Sequence, residues 1–186
     1  MSNDKTPPPS EAAQQLTNAA NDLFDYAVGR EELHHIMALL PEEAPVEHSK
    51  VEYELQILKI ITVGWSITYF LEAFPHKEPL AILYWEAVRG FSRQLSETAE
   101  LLIEGDVNYF DVLRNRLDFY VEALARRSDA AEPATAAAGD PAAAIGPAFA
   151  DTCGAADDVF TIMSGARMFV ATTGRVKQML EGAVQS

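Results

Sequence analysis

The first place where this sequence could do chemistry is Glu31-Glu32-Leu33-His34-His35. It holds two overlapping Glu-x-x-His spacings, Glu31/His34 and Glu32/His35. Residues three apart on a helix share a face, so a carboxylate and an imidazole at that spacing could grip one divalent metal. Overlapping pairs point in adjacent directions, so at most one of them can face a core. A second set is acidic: Glu97-x-x-Glu100, with Glu104, Asp106 and Asp111 nearby. Carboxylates so spaced can hold magnesium, which bridges phosphates and activates water. A third set is aromatic: Trp65, Tyr69, Tyr84, Trp85 and Tyr120. Their rings could line a pocket for a flat apolar ligand, with hydroxyl and indole N–H groups as orienting donors.

Each set lacks its complement. Ferritin-like di-iron bundles repeat Glu-x-x-His on a second helix and add glutamates from two others. Here Glu72/His76 and His48/Glu52 are four apart, the wrong spacing. All-α magnesium-dependent nucleotide pyrophosphatases follow Glu-x-x-Glu with a later Glu-x-x-Asp. This chain offers only Asn108-x-x-Asp111. Aromatic stripes at helical spacing are ordinary core. There is no G-x-S-x-G, P-loop or dinucleotide fingerprint. No cofactor is therefore expected, with a divalent metal at Glu31/His34 or Glu97/Glu100 as the alternative. Cys153 is the only cysteine, so no internal disulfide can form. It sits in the acidic run DTCGAADD, where nearby carboxylates oppose a reactive thiolate.

Charge narrows the partners. The 186 residues carry 28 acids against 14 bases, a net of −14. Nucleic-acid binding needs a positive face to displace counterions, and none is evident. The same charge opposes anionic lipid and suits a basic protein partner, or simply solubility. The N-terminus, MSNDKTPPPS, has no basic stretch followed by an apolar one, so a cytoplasmic location is expected.

The elements that must position these groups are helices. From Leu55 to Phe74 the chain reads LQILKIITVGWSITYFLEAF, a helix with no water-facing side. It is either the centre of a bundle or a poor membrane span. Lys59 and Glu72 within it oppose insertion, and the amphipathic neighbours favour the bundle. Helical periodicity predicts elements over about 11–40, divided near Gly29, over 46–74, from the Pro75–Pro79 loop to 103, and from an Asp106 cap to 127. The fold expected is all-α: an antiparallel bundle of four main helices over 10–127 with an appended fifth. Residues 1–9 read as a disordered tail. Residues 128–150 are rich in Ala, Pro and Gly, with prolines at 133, 141 and 147. They read as a mobile linker or strap.

The last segment, 151–186, holds the sharpest periodicity. Ile162, Ala166, Phe169, Thr173, Val176 and Leu180 alternate at spacings of four and three, a heptad seam. Gly165, Thr172 and Gly174 are small enough for a close helix approach. Such a helix either docks on its own bundle or joins another chain. The function expected is a non-enzymatic protein acting through protein–protein association, as a homo-oligomer or with another protein. The alternative is a ligand- or metal-binding bundle, an enzyme of the pyrophosphatase kind among the options.

Overall fold

The computed structural model describes residues 11–70, 77–102, 108–130 and 140–184. They form seven helical segments: α1 (Glu11–Val28), α2 (Glu31–Met37), α3 (His48–Phe70), α4 (Lys77–Leu102), α5 (Tyr109–Ala130), α6 (Ala142–Cys153) and α7 (Val159–Val184). The expected tail at 1–9, the Glu72/His76 pair, Gly105, Asp106 and Pro133 lie outside the described residues.

The helix without a wet side is the centre of the bundle. Apolar side chains on every side of α3 are buried, from Val51 and Leu55 to Ile67. Each of the other six helices packs against it. That arrangement removes most of its apolar surface from water, with Tyr53 and Tyr69 the exposed exceptions, and such burial is the dominant favourable contribution to folding. Among the described residues, no helix is long and apolar enough to cross a membrane.

Local signals set the boundaries. Gly29 ends α1, its N–H bonding back to the carbonyls of Asp25 and Tyr26 at 3.0 and 3.2 Å. α4 starts at Lys77, inside what reads in sequence as a loop. Pro79 fits there because the first turn of a helix has no internal partner for its N–H groups. Asn108 caps α5, its Oδ1 accepting from the N–H groups of Phe110 and Asp111 at 3.2 and 3.3 Å. α5 then continues past Arg127 to Ala130.

The linker expectation is corrected over residues 142–150. These belong to α6, in which Ala142, Ala144, Ile145, Gly146, Ala148, Phe149 and Ala150 are all buried. Pro147 removes one helical N–H but lies on the exposed side. The helix ends at Gly154, where φ is +75°. The N–H groups of Gly154 and Ala155 bond to the carbonyls of Asp151 and Ala150, both at 2.9 Å, a pairing that needs a left-handed residue. Three residues later Asp158 caps α7, accepting from the Thr161 N–H at 2.8 Å and its hydroxyl at 2.6 Å.

α6 and α7 meet at unusually close range. A Cβ at Gly165 would stand 2.5 Å from the Phe149 Cβ, and one at Gly146 would stand 2.8 Å from the Ile162 carbonyl oxygen. Only glycine permits both approaches. The expected division between a 10–127 bundle and a separate C-terminal helix therefore does not describe the packing. One apolar core draws on α1 through α7.

Candidate functional site

The two overlapping Glu-x-x-His pairs separate. Glu31 and His34 both face solvent on α2. Glu32 turns inward to the ammonium of Lys59 at 2.6 Å. Lys59 is fully buried in the middle of α3. Its Nζ also donates to the Gly29 carbonyl at 2.8 Å and lies 4.2 Å from the centre of the Tyr26 ring. The break between α1 and α2 thus has a purpose: it aims a free carbonyl at a buried cation. Glu97 is exposed on α4, and the Glu100 side chain lies outside the described residues. Among the described residues, no group of three His, Cys, Asp or Glu side chains could hold a metal ion.

The Glu32–Lys59 pair carries a pH dependence. Burial pushes the Glu32 carboxyl up, but the Lys59 hydrogen bond, the Glu32 backbone N–H, the Lys59 charge and the Tyr26 hydroxyl together outweigh it, so its pKa falls below the usual value. A lowered acid pKa stabilises the folded state above the unfolded value, about 4.3 for glutamate, and that contribution is lost as pH falls through the lowered one. We expect the stability gap between the wild type and Glu32→Gln to be full at neutral pH and to close in acid. Urea unfolding at stepped pH measures it, and a gap constant down to pH about 3 would disprove the ionic contribution.

A second buried pair joins α3 to α5. The Glu54 carboxylate accepts from Arg116 Nε at 2.8 Å and Nη2 at 2.6 Å, with Glu54 2% exposed. Neither pair was legible as a pair in sequence. The signal was present nonetheless: a charge inside a helix with no wet side must find a partner.

The five aromatic candidates divide between two sides of α3. Tyr84 and Trp85 lie on the α4 side. The Tyr84 hydroxyl donates to the Ile60 carbonyl at 2.7 Å, and burial raises its pKa well above the usual value. Trp85 covers Gly64, where an added Cβ would come within 2.3 Å of the indole. On the other side, Trp65 stacks on Tyr69 at 4.7 Å and meets Phe169 of α7 at 5.5 Å. Tyr120 is buried there on α5, its pKa also raised by burial. The gap among Leu58, Thr62, Trp65, Tyr120 and Phe169 holds about 10 Å³. That is room for one water, not for a flat ligand.

Cys153 is buried at the end of α6, and burial pushes its thiol up to about 11. Desolvation does this, more than the acidic neighbours in sequence, and the sulfur stays a thiol at neutral pH.

The heptad seam of α7 faces its own bundle. Phe169, Val176 and Leu180 are buried, while Ile162, Ala166 and Thr173 are half-buried. They pack toward α3 and α6. Gly165 and Thr172 lie on the buried side, but Gly174 does not. The opposite side of the same helix is uncovered. Val159, Phe160, Met163 and Val170 are 41–61% exposed. No other described helix exposes as many large apolar side chains. Sequence reasoning missed these residues because the inward seam is the stronger pattern.

No family model matches this chain, and no curated protein or solved structure does, so any reading of its function rests on this geometry.

Proposed function

We propose that this protein is a non-enzymatic association module whose partner is a second copy of itself. The observation that supports this is the outward side of α7, where Val159, Phe160, Met163 and Val170 lie exposed within three turns. An apolar strip of this kind on an otherwise acidic surface marks a contact site. The seam on the other side of the helix is occupied within the chain, so association through α7 uses the exposed side.

Charge favours the same face. α7 carries Arg167, Arg175 and Lys177 against Glu181, the only cationic excess among the described helices. Two copies of net charge −14 repel, and that repulsion is least where they meet through their least acidic surface.

Native mass spectrometry and sedimentation of the full chain test the reading. We expect a dimer or larger assembly, and at least a tenfold weaker one in Val170→Glu. Val170 is exposed, so its substitution leaves the fold intact. A wild-type protein that stays monomeric at its highest soluble concentration would overturn the proposal.

A further inference from the structure

We infer that the cleft where α1, α3, α4 and α5 meet binds a small quaternary ammonium ion, with Tyr53, Phe91 and Tyr109 as its aromatic walls and Glu52 as the counter-charge at its rim. This goes beyond the association proposed above and does not depend on it.

The cleft holds about 310 Å³, enough for a trimethylammonium group and a short chain. Three of its lining residues are aromatic, and they come from three helices: Tyr53 from α3, Phe91 from α4 and Tyr109 from the first turn of α5. The Tyr53 and Tyr109 rings stand 6.0 Å apart at 81°, so they form a corner rather than a flat stack. Tyr53 is 40% exposed, which leaves that corner open to a ligand. Val28 and Leu95 add apolar surface from α1 and α4. A cation that carries methyl groups instead of N–H donors suits such a lining. The negative ring faces attract its charge, and it needs no hydrogen-bond acceptors.

Charge selects the sign of the ligand. At the rim the Arg30 guanidinium bonds Oε1 of Glu52, and Oε2 has no partner among the described residues. Glu54 and Arg116 lie near enough to act on the Tyr53 hydroxyl, but they bond each other. These two pairs cancel, and Glu47, Lys50 and Arg93 do not line the cleft. What remains is one free carboxylate oxygen, the ring faces and the net charge of −14, all of which favour a cation. The chain uses the same chemistry on itself. Lys59 lies 4.2 Å from the centre of the Tyr26 ring, and Arg89 lies 5.1 Å from that of Phe110. Among the described residues, Tyr53, Phe91 and Tyr109 carry no cation of the chain's own.

Calorimetric titration of the full chain with choline tests this, beside the neutral analogue in which carbon replaces the nitrogen. The inference expects choline to saturate with a dissociation constant on the order of 1 mM, as a few cation–π contacts allow. It expects the analogue to bind about tenfold more weakly. Tyr53→Leu should weaken choline binding about fivefold with unchanged melting, while Tyr53→Phe, which keeps the ring, should bind like the wild type. Equal binding of choline and its analogue would overturn the ionic recognition. Unchanged binding in Tyr53→Leu would overturn the assignment to this cleft. A titration that never saturates at roughly tens of millimolar choline would overturn the inference outright. Phosphatidylcholine carries the same group, so its vesicles form a second arm. A free ion is expected, because the charged Arg30 and Glu52 stand at the rim rather than apolar side chains that could enter a bilayer. Vesicles that sediment the wild type but not Tyr53→Leu would overturn the free ion as the source and put the lipid headgroup in its place.

Discussion

Arg116→Ala will destabilise the protein by about 3–5 kcal/mol, the cost of leaving a buried carboxylate without its counter-ion. The Glu54 side chain is 3% exposed and that of Arg116 31%, so the carboxylate depends on this one guanidinium for most of its compensation. The geometry is bidentate, with two short charged hydrogen bonds holding α5 to α3. The destabilisation reflects the orphaned charge rather than the worth of the pair. Glu54→Leu combined with Arg116→Met should therefore recover most of the loss, since apolar side chains of similar size replace buried ion pairs at little cost. Urea unfolding of the two variants measures both effects. A loss below about 1 kcal/mol for Arg116→Ala would mean that the pair behaves like a surface salt bridge.

Phe149→Ala is the second large effect, also about 3–5 kcal/mol. Phe149 is fully buried on α6 and fills the space beneath Gly165 of α7. Removing the ring opens a cavity between two helices, at a place where it packs directly on the bare backbone of Gly165. Neither backbone can move in to fill it without losing other contacts. The same substitution in a loose linker would change stability by less than about 0.5 kcal/mol. Thermal or urea unfolding of this one variant therefore decides whether residues 142–153 are core or connection.

α6 also shows where sequence reasoning stops. Its Ala, Gly and Pro content resembles a linker because local signals measure propensity, and propensity is overridden by packing. Gly146 and Pro147 disfavour a free helix, yet Gly146 is what lets α6 reach Ile162. The benefit arises only once α7 is in place. The same limit applies to Glu31-Glu32-Leu33-His34-His35. Spacing showed that only one carboxylate–imidazole pair could face inward, but not that the inward carboxylate would be taken by a lysine 27 residues away.

The sequence by itself determined that the protein is all-helical, that the segment around Leu55–Phe70 lies at its centre, and that Gly29 divides the first helix. Each follows from periodicity or from a single residue's backbone preference, which are local properties. Only the tertiary structure decided that α6 belongs to the core, which charges pair inside it, and which side of α7 is left open. Those depend on groups far apart in sequence, because a helix carries a pattern on every side and only its neighbours determine which side stays wet.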